Sequence, residues 1–485
     1  MEDFSFEVVA KKSVRGILAL VSRTLLIQIL GIVSYFILGI YLDSSYFGVF
    51  IIVSAIVVFF TYFQDIGLAA ALIQKKEEPT IGELRSTFTL QQILVLVLVI
   101  PALIFSSQIA SIYKLDSSGH LLLIALLVSF FLSSLRTIPT VLLERHLNFN
   151  KLVVPQIAEN IVYYMCLIIF AIAGFGVATF TIAILARSIL GLIATYYIQR
   201  WPIGLSIKFG QIRHLINFGI PFQANSLLAL LKDDLLIIYV GTILPLAQVG
   251  YIGFAQKWAF MPLRFIMDNV IKITFPSYSR LRHDKGGLKL AIEKSLFLVS
   301  FFIFPIAAAI ILYSPFLIEF IPEYRKWEPV LLSLAFFAAS TGFSSISTPL
   351  TNLFNAIGKV KITLYFMVFW TVLTWILTPL LIGIYGYDGF AIASFIISIT
   401  SIGVFIAARK YVEFSFVKPV ARQFLATLVM GGAIWLTSGI ITSFPMLFLN
   451  MIMGGAVYMG VLMLFGRGEL VKTFKFIMIS VRSKS

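Results

Sequence analysis

Long apolar runs succeed one another along almost the whole chain, with only short polar connections between them. About 20 apolar residues span a bilayer's hydrocarbon as a helix. Fourteen runs qualify, at approximately 16–41, 46–64, 87–112, 121–143, 152–173, 177–198, 214–242, 247–270, 292–315, 328–355, 361–384, 387–408, 422–441 and 445–466. Backbone amides in lipid must be satisfied within the protein, so runs of this length form helices. Composition agrees: 60% of the 485 residues are hydrophobic and 12% charged, against about 45–50% and about 25% in soluble chains. The fold class is therefore an all-α integral membrane protein of about 14 transmembrane helices. The longest connections, near 280–289 and 314–327, are too short to fold as domains.

Charge orients these spans. Thirty of the 37 Lys and Arg fall in the segments on one side, beginning with the N-terminus, and only Lys114, Arg325 and Lys326 fall on the other. The positive-inside rule then puts both termini in the cytoplasm. It also accounts for the net charge of +15, so basicity alone calls for no nucleic acid. The single cysteine, Cys166, cannot form an intrachain disulfide, and His120, His146, His214 and His283 are too scattered for a metal site. The first apolar run is long enough to span, so no cleavable leader is expected.

Four cations remain inside the spans: Arg23, Arg187, Lys232 and Lys257. At 1.5 Å per residue all four lie near mid-depth, and intramembrane ionisable groups face a bundle interior or a watery cavity. The acids at comparable depth are Asp233 and Asp234, with Glu159 nearer the cytoplasm beside Asn160. The stretch 221–241 concentrates three charges, Lys232, Asp233 and Asp234, in an apolar run. As a helix it offers Lys232 only Leu228, Ala229, Leu235 and Leu236 at three and four residues' distance, so its partners are expected elsewhere. Four cations against three acids favour an anionic ligand. A hydroxyl and amide series on span 10, from Ser340 and Thr341 to Asn352 and Asn355, could hydrogen-bond sugars or simply join helices.

A weak internal repeat appears when the first span is laid on the seventh. Gly39 and Gly48 then match Gly241 and Gly250, and Arg23 falls on Asn225. An offset of six spans preserves orientation, which implies two six-helix lobes around a central cavity. The expected division is 1–200 for helices 1–6, 201–411 for helices 7–12, and 412–485 for two extra C-terminal helices and a basic tail. That tail mixes Lys472, Lys475, Arg482 and Lys484 with Phe474, Phe476 and Ile477, the pattern of an interfacial segment on an anionic leaflet or of a plain solvated tail.

Four segments carry a family resemblance. Gln64-Asp-Ile-Gly-Leu-Ala-Ala-Ala-Leu-Ile-Gln74, Arg145-His-Leu-Asn-Phe149, Phe275-Pro-Ser-Tyr-Ser-Arg-Leu281 and Ala356-Ile-Gly-Lys359 resemble, in order and between the right spans, the motifs of bacterial polysaccharide flippases. That family belongs to the multidrug, oligosaccharidyl-lipid and polysaccharide exporter superfamily. The resemblance implies alternating access and movement of an undecaprenyl-diphosphate-linked sugar unit across the bacterial inner membrane. It implies no enzyme chemistry and no cofactor beyond a coupling proton or sodium ion. Asp65 and Arg145 are expected to cap or pair at helix ends. The expected partners are a lipid-linked oligosaccharide, membrane lipids, and a polysaccharide polymerase or assembly machinery.

Residue roles follow from depth and charge: Arg23, Arg187, Lys232, Lys257 and Asn225 for substrate, and Asp233, Asp234 and Glu159 for ion coupling. Two other readings stay open. A multidrug or cation exporter of the same superfamily would need a net acidic cavity, and a membrane glycosyl transferase or polymerase would need a large outer loop.

Overall fold

The structure, a computed structural model, describes residues 6–482 apart from 76, 209, 211, 214, 217–229 and 416, and within that set leaves out the side chains of 6–22, 268, 269, 273, 418 and 466–482. The helices are α1 (Phe6–Tyr41), α2 (Ser44–Thr61), α3 (Leu68–Gln74), α4 (Ile81–Ile104), α5 (Ser106–Ile112), α6 (Ser117–Leu135), α7 (Thr137–Arg145), α8 (Phe149–Ile172) and α9 (Ala178–Ile198). After these come α10 (Asp234–Ile243), α11 (Leu246–Arg280), α12 (Lys285–Phe320), α13 (Leu331–Ala356), α14 (Val360–Tyr385), α15 (Asp388–Ile399), α16 (Ile402–Arg409), α17 (Val417–Leu436) and α18 (Phe444–Arg482). No strand occurs among the described residues.

Polar residues at the ends of the apolar runs set where the helices start. Thr80 and Glu83 form a reciprocal capping box at α4, and Lys75 Nζ adds a 2.7 Å ion pair to Glu83. Asp116 accepts from Gly119 N at the start of α6, as Asp284 does from Gly287 N at α12. Each such side chain satisfies an amide that has no partner within its helix. At the other end of α13, Gly358 takes φ +77° and Lys359 N bonds back to Phe354 O, a left-handed stop that glycine adopts without strain. This is the Ala356–Lys359 motif.

The surface shows what solvent the helices meet. On α14, Leu364, Val368, Val372, Ile376, Leu380 and Ile384 recur every four residues and are all more than 40% exposed. A continuous exposed apolar stripe of this kind marks a membrane or protein contact, and this one runs along a helix long and apolar enough to cross a bilayer. The chain is a multi-pass membrane protein.

Twelve helices among the described residues are long and apolar enough to cross a membrane, two fewer than expected. Of the seventh expected span, 215–216, 230–232 and Asp234–Ile243 are helical, and 217–229, with Asn225, lies outside the described residues. The eighth falls within the 35-residue α11, whose apolar character is interrupted by Lys257, Arg264, Asp268 and Lys272. The first helix also begins at Phe6, well before the apolar run does.

The chain divides into two compact units, Met1–Gly250 and Tyr251–Ser485. In the first, α8 packs against α1 and α9, while α6 packs against α2, α4 and α9. In the second, α12 packs on α13 and α17, and α17 on α18. The last two helices are tied to this unit: Tyr313 Oη bonds Asn450, Tyr458 Oη donates to Phe301 O, and Phe297 and Phe301 pack beside Met430 and Leu462.

Two motifs meet in the first unit. Asp65 Oδ1 accepts from Ala69 N at 2.9 Å, and Gly67 at φ +81° turns the chain into α3. Burial pushes the Asp65 carboxyl up from its ordinary range, with the Ala69 amide pulling it back. At the far end of α3, Arg145 donates to the carbonyls of Leu72 (2.7 Å), Lys75 (2.6 Å) and Glu77 (2.6 Å) and pairs with Glu78 at 3.5 Å. A cation suits the negative end of a helix. The two motif residues thus secure opposite ends of one short helix.

The glycine pairs also acquire a reason. A Cβ on Gly48 would run into the Leu246 carbonyl, and one on Gly250 would run into the Ser44 carbonyl. The same hypothetical atoms lie 3.2 Å from Gly250 N and 3.1 Å from Gly48 N. The starts of α2 and α11 therefore touch backbone to backbone, and the contact is reciprocal.

Candidate functional site: an arginine-lined face of α8

Helix α8 presents Gln156, Glu159 and Tyr163 at spacings of three and four, on one face. Three arginines from other elements converge on that face. Arg23 of α1 donates to Gln156. Arg136, at the break between α6 and α7, is in close ion-pair contact with Glu159 Oε2. Arg187 of α9 reaches the other oxygen, Oε1, at 3.7 Å, and its guanidinium lies 5.3 Å from the Tyr163 ring centroid. The site thus holds three guanidiniums and one carboxylate.

Local structure explains the gathering. Gly191 lies one turn beyond Arg187 on α9, and a Cβ there would collide with Glu159 Oε2 and Arg136 Nη1. Its missing side chain is the space in which the ion pair sits. The Glu159 residue is only 4% exposed, so its charge must be compensated nearby. Arg187 differs, with a side chain 40% exposed. It can face both the carboxylate and a ligand.

Arg187, which has no acid at helical spacing on its own helix, therefore shares Glu159 of α8 with Arg136. Sequence reasoning missed Arg136, counting it with the inner-side cations, along with Gln156 and Tyr163. The available signal was position, because Arg136 directly follows the apolar stretch 117–135 and lies inside an expected span.

The other expected residues that are described lie on other elements. Lys232 Nζ is 3.4 Å from Asp233 Oδ1, with side chains 38% and 65% exposed. The expectation that its own stretch could not neutralise Lys232 is corrected by this contact. The cause is a turn at Asp233, φ −99° and ψ −64°, after which α10 begins at Asp234. Asp234 occupies the first turn of α10, where the helix dipole favours an acid. Lys257 is exposed on α11 in the second unit.

Of the two roles open to the polar series on α13, its hydrogen bonds favour joining helices. Ser340, Thr341, Ser345 and Ser347 are buried, and their hydroxyls donate to Phe337, Ala338, Gly342 and Ser344 carbonyls of their own helix. Asn352 donates to Thr274 at 3.1 Å. Such back-bonding satisfies hydroxyls locally and leaves these groups to packing. No cluster of three His, Cys, Asp or Glu suited to a metal occurs among the described residues.

Comparison with known proteins agrees with the fold. The lipopolysaccharide biosynthesis protein WzxC of Escherichia coli is 22% identical over 367 residues, 75% of this chain and 74% of that protein. The succinoglycan biosynthesis transport protein ExoT of Rhizobium meliloti is 19% identical over 50% of this chain and 49% of its own length. Among solved structures, the lipid II flippase MurJ in an inward closed conformation superposes with a TM-score of 0.78 at 18% identity, covering 93% of this chain and 99% of that one. An inward-facing multidrug resistance MATE family transporter gives 0.61 at 14% identity, over 79% and 95%. Of these, ExoT is described as a transport protein, MurJ as a flippase and the MATE protein as a transporter. The family model described as polysaccharide biosynthesis protein matches residues 37–331, more than half of the chain, and the protein belongs to that family.

Proposed function

We propose that the protein is a flippase that moves an undecaprenyl-diphosphate-linked oligosaccharide from the cytoplasmic to the outer leaflet of the bacterial inner membrane by alternating access, coupled to a proton or sodium gradient. The observation that carries this reading is the excess of guanidinium over carboxylate on α8, within an otherwise apolar bundle. A diphosphate offers several anionic oxygens, and guanidinium forks match such oxygens in geometry as well as charge. Arg136 grips Glu159, which leaves the half-exposed Arg187 the better placed to turn to a ligand. Arg23, polarised by Gln156, adds positive charge on the same face. Membership of a polysaccharide biosynthesis family and the likeness to a lipid II flippase support a lipid-linked sugar as cargo.

For ion coupling the better candidate is Asp234. Asp233 is the exposed partner of Lys232, whereas Asp234 is half-buried in the first turn of α10. Cargo transfer makes and breaks no bond. The likeness to multidrug transporters favours a second reading, export of a cationic compound, but three arginines to one acid would repel such a cargo. The deciding experiment removes the protein from cells and follows lipid-linked sugars. Their accumulation on the inner leaflet, restored by the wild-type chain and not by Arg187→Ala, supports the reading. Normal turnover of those lipids with a changed sensitivity to cationic drugs overturns it.

A further inference from the structure

A hollow of about 630 Å³ opens in the second unit at the end of α16, lined by Lys289, Arg409, Lys410 and Glu413 over a floor of Phe405 and Phe414. We propose that it binds the phosphate headgroup of an anionic membrane lipid, as a site separate from the transported cargo.

The local sequence builds the hollow. After Arg409 the chain alternates: Val412 and Phe414 are 5% and 3% exposed, while Tyr411 before them and Glu413 between them are exposed. The buried pair pins this strap to the core around Leu288 and Ile292. Ser415 N donates to Glu293 Oε1 at 2.7 Å, which fixes the strap's end to α12 one turn from Lys289. The Arg409 guanidinium lies 5.7 Å from the Phe405 ring centroid, and that ring stands edge-on to Phe414. The cations are therefore mounted on packed elements.

What lies beside the hollow identifies the occupant. Ile402, Ile406 and Lys410 recur every four residues, so they share a face, and the two isoleucines are 50% and 58% exposed. Leu290, next to Lys289, is 53% exposed. Along that face the surface changes from exposed apolar side chains to clustered cations, the order in which a phospholipid presents its chains and its phosphate. Three cations to one carboxylate give net positive charge, and basic pockets among membrane helices recognise anionic headgroups. A free anion would use the cations but gain nothing from the apolar stripe.

The test uses the full-length protein in zwitterionic detergent, with added phosphatidylglycerol, phosphatidylcholine or inorganic phosphate, read by native mass spectrometry of retained lipid. Wild type is expected to retain phosphatidylglycerol in preference to phosphatidylcholine. Lys289→Gln, Arg409→Gln and Lys410→Gln should each weaken retention about fivefold, while Lys151→Gln on the first unit changes nothing. Glu413→Gln should strengthen retention, a gain that misfolding cannot mimic. Equal retention of the two lipids, no effect of the three substitutions, or displacement of the lipid by inorganic phosphate at equal concentration would overturn the proposal.

Discussion

Arg187 holds its charge between a carboxylate that Arg136 already grips and a tyrosine face, an arrangement that leaves it partly uncompensated. Arg187→Ala should lower transport by about tenfold or more, roughly 1.4 kcal/mol in the limiting step, with little loss of folded protein. The lysine substitution should rescue poorly, because an ammonium lacks the planar fork. Glu159→Gln should behave differently. It leaves Arg136 and Arg187 facing each other without an acid, and breaking a buried pair costs about 3–5 kcal/mol. Thermal unfolding in detergent should therefore drop more for Glu159→Gln than for Arg187→Ala, and the reverse order would show that Glu159 is dispensable to the fold. Charge and depth made Arg23, Arg187 and Glu159 legible in the sequence. Their pairing was not legible, because α1, α8, α9 and the α6–α7 break are brought together by packing rather than by spacing along the chain.

Short elements depend on side chains from distant segments. Helix α3 has seven residues, fewer than isolated helices need for stability, and Arg145 occupies three carbonyls at its end. Arg145→Ala should destabilise the first unit by about 4 kcal/mol or more, since each of the three hydrogen bonds to its charged group contributes about 1.5–3 kcal/mol. The check is a fall in unfolding temperature, with Arg145→Lys recovering only part. That Asp65 and Arg145 would cap or pair was readable from their places at helix ends. That both would serve the same helix was not, since 80 positions separate them. Breaks within runs were marked only by short polar clusters: α6 yields to α7 at Arg136 and α15 to α16 at Thr400–Ser401.

Across the whole molecule, the partition of Lys and Arg predicts which segments face outward. Cysteines placed at Asp43 and Arg325 should react with an impermeant thiol reagent applied from outside, and ones at Glu78 and Lys285 should not; the opposite pattern would invert the topology. Arg325 is the better reporter on its segment because the neighbouring Tyr324 is only 6% exposed. Of the fourteen spans read from hydropathy, twelve are long apolar helices among the described residues; much of the seventh lies outside them, and the eighth is interrupted by charges. Gly48 and Gly250 should tolerate no larger residue, and Gly48→Ala and Gly250→Ala should each part α2 from the start of α11, seen as a fall in unfolding temperature in detergent. The two contacts interchange under a shift of 202 positions, since Gly48 rests on Leu246 as Gly250 rests on Ser44. Had this chain arisen by fusion of two copies of a shorter gene, the ancestral dimer would have met itself at one codon, where any side chain was penalised twice; fusion freed the two codons to drift apart, and both still encode glycine.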